Sequence, residues 1–441
     1  MEFIKCDIAI TGGGASGLMT ALTLAKLGVK GKIIIAERNA KIGRKLLATG
    51  NGRCNLSNVK ISDRFYFGTA AEYAKDIFRK YDCNYIRKYF EEVGLLTVSD
   101  SEGRIYPLSN SAASVADCMR NYILSYGVTE LCSTEVTDII PDKRGVSLIC
   151  ECKSGGNECS TKLKISAKYA VLSCGGKASP KLSGNGNIYG IVEKLGIDIT
   201  PVFPSLTSVS CSEKLLHTVK GVRVKSRVSL YADGVLADSH DGELQFTENS
   251  LSGICIFQLS RLVNEYFVCR TVNRKKTGNI KICVDLLPEY DSESCRKLVM
   301  SRKELFGRYE LEKFFDGFIN KKLGIAVLKK AGITDFSRKT ATLSKSETEK
   351  ICRTLKGWEF IPSKPSDFEN AQITAGGVSA KEINFDDMCS KKYRNIYING
   401  ELADIDGSCG GYNLHWAWCS GIIAAESIAG RMEKSGYAEI K

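Results

Sequence analysis

A short apolar run, Asp7 to Thr11, leads into the turn Gly12-Gly13-Gly14-Ala15-Ser16-Gly17. Apolar residues then recur at helical spacing (Leu18, Ala21, Leu22, Ala25, Leu27) as far as Gly28, and a second apolar run, Ile33 to Ala36, ends at Glu37. This pattern predicts strand, tight turn, helix, stop and second strand. Residues 63–93 mix acids, bases and aromatics at helical spacing and read as one or two helices ended by Gly94. A strand follows over Leu95 to Val98, then a turn over residues 100–107 and a helix from Ser111 or Ala112 to Tyr126. Residues 128–167 carry several β-rich runs, broken at Pro141-Asp142 and at Gly155-Gly156-Asn157. Tyr169 to Cys174 reads as a buried parallel strand ending in Gly175-Gly176, and a helix is expected from near Gly186 to Gly196.

From about Ile199 the pattern changes. Strand-like runs between residues 205 and 247 are separated by Asp233-Gly234 and Asp241-Gly242, as in a small barrel or sandwich, and Ser252 to Asn264 reads as helix. A strand at Ile280 to Leu286 precedes a charged stretch of helical periodicity over residues 291–354. Trp358 to Ile361 returns the chain, and Pro362 and Pro365 mark a boundary. Ile396 to Asn399 is a strand ending at Gly400-Glu401, and Gly410-Gly411-Tyr412-Asn413 opens a final helix through Gly421 to Ala429. These shifts divide the chain into a discontinuous domain of residues 1–198 and 366–441, a β-rich insert of residues 199–288 and 355–365, and a helical subdomain of residues 289–354.

The glycine turn has the spacing of a dinucleotide site. Gly12 permits the sharp exit from the strand, Gly14 keeps side-chain atoms away from a pyrophosphate, and Gly17 lets the helix lie close on the sheet. Ala15 and Ser16 complete the turn, and the helix aims its free N–H groups at the phosphates. Glu37, about twenty residues beyond Gly17, can accept both hydroxyls of an adenosine ribose, and Arg38 follows it. Its charge would repel a 2′-phosphate. Gly43-Arg44-Lys45 and Gly50-Asn51-Gly52-Arg53-Cys54-Asn55 come next, a second glycine-rich and basic stretch that suits a longer cofactor running on to a flavin ring. An ordinary polar loop is the competing reading of that stretch. The start of the final helix is the second place where a helix N-terminus can meet the cofactor and stabilise negative charge on a reduced flavin. A glycine-started helix without a ligand is its rival.

The string from Gly43 to Asn58, GRKLLATGNGRCNLSN, resembles the signature of the bacterial BaiN-like, or aminoacetone-oxidase-like, NAD(P)/FAD-dependent oxidoreductases. Further matches are Gly175-Gly176, Phe246-Thr247 with Leu251-Ser252-Gly253, Asp285-Leu286-Leu287-Pro288 and Gly376-Gly377-Val378. The last match runs from Gly400-Glu401 through Asp404, Asp406 and Gly407 to Gly410-Gly411-Tyr412-Asn413. The resemblance covers almost the whole chain. It implies an α/β fold: a glutathione-reductase-like FAD-binding Rossmann domain with an inserted β-barrel-like domain and a helical subdomain. FAD would be held noncovalently, with NAD(P)H as a transient reductant and Glu401 on the ribityl chain. The activity implied is reduction of a carbon–carbon double bond conjugated to a ketone in a 3-oxo bile-acid or steroid-like substrate. Oxidation of a small amine such as aminoacetone is the runner-up, and a non-catalytic FAD-binding redox sensor or accessory protein is the reading from another class. Tyr412 is a candidate for polarising the ketone, and a tyrosine packed at a helix start is its rival. His415, standing where the family often has Gln, is a candidate acid. A His common after the Phe-Thr pair is replaced here by Glu248 and Asn249.

Composition narrows the partners. The chain has 441 residues, 43% hydrophobic and 25% charged, as expected of a globular protein of two or three domains. The net charge of +12 comes from 62 basic residues spread along the chain, with short clusters at Arg274-Lys275-Lys276 and Lys329-Lys330. That distribution favours anionic ligands, the cofactor and an acidic substrate among them, over a nucleic-acid surface, and a solvated basic surface with no partner is the competing reading. The resemblance implies a small-molecule substrate that is apolar as well as acidic. Lacking an apolar run of membrane-spanning length or a signal-like start, the chain is expected in the cytoplasm. It has 18 cysteines without a C-x-x-C and 3 histidines, so no metal site is expected. Cys150 and Cys152 alternate on a strand and share one face. Purified protein should be yellow and release FAD, not FMN, on denaturation. Glu37→Arg should lose most of the cofactor, measured as flavin absorbance per chain, and full occupancy in that variant would refute the adenosine site.

Overall fold

A computed structural model describes residues 1–143, 145–153, 160–273 and 279–439. The expected turn at Gly155-Gly156-Asn157 and the basic cluster at Arg274-Lys275-Lys276 lie outside the described residues. The chain forms two compact units, Met1–Phe203 with Gln372–Lys441, and Pro204–Ala371.

The first unit is built on a seven-stranded sheet. Within it, Ile8–Thr11 pairs in parallel with Ile33–Ala36 on one side and with the central strand, Tyr169–Leu172, on the other. Thr129–Leu131 extends the sheet beyond Ile33–Ala36, and Ile396–Ile398 extends it beyond Tyr169–Leu172. The central strands are buried on both faces, which is why the sequence shows them as unbroken apolar runs. The helix Ala15–Lys26 leaves the first strand, and the final helix, Tyr412–Glu439, packs across it. A second sheet holds an antiparallel meander of Thr134–Pro141, Val146–Lys153 and Ser160–Ala167. Glu2–Lys5 adds to it in parallel.

Residues 63–93 contain two helices, Ala71–Lys80 and Cys83–Glu91. The break is at Asp82, whose carboxylate accepts from the Tyr85 N–H and caps the second helix. The stretch read as a loop at residues 43–55 holds a short helix, Arg44–Ala48, followed by a tight turn at Thr49–Gly52. The final helix runs about ten residues past its expected end at Ala429, because nothing between Gly430 and Glu439 stops it.

The second unit has a six-stranded antiparallel sheet. Its long hairpin pairs Arg223–Ala232 with Val235–Phe246, and the end strands Val209–Ser210 and Trp358–Phe360 come together at the Cys211 to Pro362 bridge. The Ser212 N–H donates to the Ile361 carbonyl at 3.1 Å and the Ser363 N–H to the Ser210 carbonyl at 2.9 Å, so the sheet curls into a barrel-like closure. The helix Ile254–Asn273 starts at Gly253, where a Cβ would stand 2.1 Å from the Glu243 carbonyl oxygen. Helices Ser292–Leu305, Lys321–Lys330 and Lys345–Gly357 share one apolar core with the sheet, including Val228, Phe246, Val327, Leu355 and Trp358.

Candidate functional site

At the first turn each glycine has a separate reason. Gly12 has φ +93°, and a Cβ on Gly17 would stand 2.0 Å from the Gly12 carbonyl oxygen, so the helix can lie on the turn only without that atom. A Cβ on Gly14, by contrast, would meet nothing within 4 Å. Gly14 therefore borders open space at the N-terminus of the helix Ala15–Lys26, where a phosphate is favoured. Glu37 is buried, and its carboxylate accepts from the Gly13 N–H at 2.8 Å and from the Asn39 backbone and side-chain N–H groups at 2.7 and 2.8 Å. Those bonds fix the carboxylate against the turn and leave a lone-pair site on Oε2 for a further donor. Arg38 reaches the Pro180 carbonyl at 3.4 Å, and Arg44 is exposed with one bond to Asn39 at 3.2 Å.

The two ends of the chain meet at an ion pair. Lys45 Nζ stands 2.7 Å from Glu401 Oε2, and the other oxygen of Glu401 accepts from the Thr374 N–H at 2.8 Å. Thr374 Oγ1 accepts in turn from the Lys177 and Ala178 N–H groups, anchoring the loop that begins at Gly175-Gly176. Gly176 fits because a Cβ there would stand 2.3 Å from Thr374 Oγ1 and 2.8 Å from Glu401 Oε1. Gly400 lies equally close to Ser16 of the first turn. The residues at 12–17, 37, 45, 175–176 and 400–401 are thus brought together.

Gly50, Asn51, Gly52 and Cys54 all have positive φ, between 56° and 82°, so this stretch winds back on itself. Cys54 is buried, and burial pushes its thiol up to about 12. Arg53 lies over the Tyr106 ring at 4.7 Å. Asn55 Oδ1 is a buried acceptor without a partner among the described residues, beside Gly411, where a Cβ would stand 2.8 Å from it. Gly410 is held through its carbonyl by Asn58 at 3.0 Å. A lone acceptor beside the start of a long helix is the signature of a missing N–H donor, and a flavin ring carries one. The open space at Gly14, the fixed carboxylate of Glu37 and this acceptor fit FAD.

Tyr412 begins the final helix with its ring stacked on Phe65 at 4.5 Å and its carbonyl accepting from the Tyr66 hydroxyl at 2.8 Å. Burial raises its phenol pKa, so it remains protonated. Asn413 spends its side chain on the turn, bonding the Gly407 N–H and carbonyl at 2.8 and 2.7 Å. His415 is fully buried, with Nε2 2.9 Å from the Tyr81 carbonyl and Nδ1 2.8 Å from Ser57 Oγ. The carbonyl can only accept, so Nε2 carries the proton and Nδ1 accepts from Ser57. Burial pulls the imidazole down to about 4, and it packs as a neutral group with both ring nitrogens hydrogen-bonded inside the protein. Thr374, Asn39 and Ser57 escaped the sequence reading; only the position of Asn39, two residues past the acid, offered a signal.

The fold is that of a Rossmann-type FAD-binding oxidoreductase. Residues 6–427 match the HI0933-like protein Rossmann domain, and the chain belongs to that family. The 3-dehydro-bile acid delta(4,6)-reductase of Clostridium scindens is 31% identical over 425 residues, which are 96% of this chain and 99% of that protein. The ribosomal RNA dihydrouridine synthase of Haemophilus influenzae is 26% identical over 95% of this chain and 98% of its own length. Among solved structures, a quinol fumarate reductase of Escherichia coli has the same fold, with a TM-score of 0.52 at 14% identity over 99% of this chain and 72% of that one.

Gly14→Ala should leave apoprotein stability within about 0.5 kcal/mol while weakening cofactor binding, whereas Gly17→Ala should cost about 1–3 kcal/mol through overpacking. Urea unfolding and flavin titration of both variants check this contrast. His415 gives a pH signature. Its folded pKa lies below the unfolded value of 6.5, so its contribution to stability is complete above that pH and is lost as pH falls towards 4, by up to about 3 kcal/mol. Urea unfolding between pH 7 and pH 5 should show His415→Gln less stable than the parent at pH 7, with the gap narrowing on acidification.

Proposed function

We propose that the protein reduces a carbon–carbon double bond conjugated to a ketone in a ring substrate carrying an acidic group, with FAD as resident cofactor and NAD(P)H as transient reductant. The observation that carries this reading is the 31% identity, over 96% of the chain, to a protein named as a 3-dehydro-bile acid delta(4,6)-reductase. Bound FAD supplies a hydride donor and acceptor. The chain's own residues do the rest. Glu37 takes the adenosine ribose and the backbone at Gly14 takes the pyrophosphate. Glu401, held by Lys45 and Thr374, takes the ribityl hydroxyls. The start of the final helix and Asn55 Oδ1 take the pyrimidine edge of the ring, where the helix dipole favours negative charge. Tyr412, kept protonated by burial, donates a hydrogen bond to the substrate ketone, and the proton for the α-carbon comes from water or from Tyr412 because His415 is sealed in the core. No helix among the described residues is long and apolar enough to cross a membrane. Every described cysteine is a free thiol, in keeping with the reducing cytoplasm.

A second reading, uridine in ribosomal RNA as the substrate, is favoured by the 26% identical dihydrouridine synthase. Stopped-flow mixing of pre-reduced holoenzyme with a 3-oxo-4-ene steroid acid, with a ribosomal RNA transcript and with air-saturated buffer separates the readings. Fast reoxidation by the steroid acid is expected. Reoxidation by RNA alone would transfer the assignment to uridine, and fast reaction with oxygen together with ready reduction by a small primary amine would make the protein an oxidase.

A further inference from the structure

Arg64 lies beside the aromatic stack at the start of the final helix. It lies in the short turn Asp63–Phe65, exposed, with its guanidinium 4.6 Å above the Phe65 ring, which stacks in turn on Tyr412. Among the described residues it has no ion pair. Several other cations of the same unit are paired: Lys45 with Glu401, Lys80 with Glu426, Arg79 with Asp76, and Arg104 with Asp100 and Glu102. The adjacent acid, Asp63, accepts from the Ser62 hydroxyl at 3.0 Å instead.

The segment that carries Arg64 is fixed to the start of the final helix at several points. The Ser408 N–H donates to the Phe65 carbonyl at 2.9 Å, the Tyr66 hydroxyl donates to the Tyr412 carbonyl, and residues 66–67 pair antiparallel with residues 406–407. The turn that carries Arg64 is therefore fixed relative to Tyr412, and the guanidinium lies over the Phe65 ring, 4.6 Å from its centre. A planar cation preorganised in this way loses little entropy when it takes a carboxylate in a two-point contact.

Resting on the reading of Tyr412 as the donor to the substrate ketone, we propose that Arg64 is the anchor for a carboxylate carried by the substrate at a distance from the reacting double bond. The stack of Arg64, Phe65 and Tyr412 then forms one recognition strip, polar at both ends and aromatic between, suited to an apolar ring system with a ketone at one end and an acid at the other. Arg64 selects by charge and lies outside the bond-making steps, so its loss should raise KM for an acid far more than it lowers kcat.

The test compares a 3-oxo-4-ene steroid carboxylic acid with its methyl ester on holoenzyme, by flavin difference spectra for binding and by steady-state turnover. The parent should prefer the acid. Arg64→Leu should reduce the ratio of acid to ester affinity by about tenfold to a hundredfold, the range expected for one charge-assisted pair, and Arg64→Lys should restore part of it. Added salt should shrink the parent's preference and leave the Leu variant's ratio nearly flat. An acid-to-ester ratio that Arg64→Leu leaves unchanged overturns the anchor, whether or not the enone is turned over. If neither compound is reduced but acid binding still depends on Arg64, the anchor stands and the reductase reading fails.

Discussion

A buried chain of hydrogen bonds fixes where the ends of this molecule meet. Ser173 Oγ donates to Asn399 Oδ1 at 2.7 Å, Asn399 Nδ2 donates to Thr20 Oγ1 at 2.9 Å, and Thr20 Oγ1 lies 2.8 Å from the Ser16 carbonyl and 3.3 Å from that of Gly421. Each side chain in the series is almost wholly buried, so leaving any of them unpaired would be costly, and together they accept one arrangement only. Helix contact completes it. A Cβ on Gly421 would stand 2.8 Å from the Ser16 carbonyl oxygen and 3.0 Å from the Met19 Cβ, so the last helix reaches the first only where it has no side chain. Strand ends, the glycine turn and Gly400 are placed by that crossing.

The site built around it divides the work between backbone and side chains. Around the turn, glycines either press against protein or face open space, which shapes a groove by subtraction. Charge is placed sparingly: one carboxylate tied to the turn at Glu37, and one ion pair joining Lys45 to Glu401. At the start of the final helix an aromatic stack replaces glycine as the shaping element, and the one histidine there is kept neutral. A rigid cradle of this kind spends no binding energy on ordering itself.

Much of this was legible in the sequence where the reason is local. The glycine turn, the helix after it and Glu37 can be read because each residue's role depends on neighbours within one strand–turn–helix unit. The buried strands could be read from unbroken apolar runs. What escaped depends on partners far away in the chain. Lys45 and Glu401 are 356 positions apart, and nothing near either residue announces the other. Thr374 looks like any strand threonine until its hydroxyl is seen to hold residues 177 and 178. His415 resembled a candidate acid because sequence shows the residue type and not the burial that lowers its pKa. The barrel-like closure at Cys211 and Pro362 was only suggested, since a proline cannot donate to a ladder and reads as a boundary.

The split of the first unit between residues 1–203 and 372–441 has a consequence for how the protein is made. Synthesis proceeds from the N-terminus, and the strand Tyr169–Leu172 can take Ile8–Thr11 on one side while its other edge waits for Ile396–Ile398. The unit at 204–371 is continuous, so it can close while still on the ribosome, ahead of the unit that surrounds it in sequence. For the time needed to translate roughly two hundred residues, at about 5–20 residues per second, a buried strand therefore presents an open edge. The nascent chain is most exposed to mispairing in those seconds, which end when Ile396–Ile398 emerges and takes that edge.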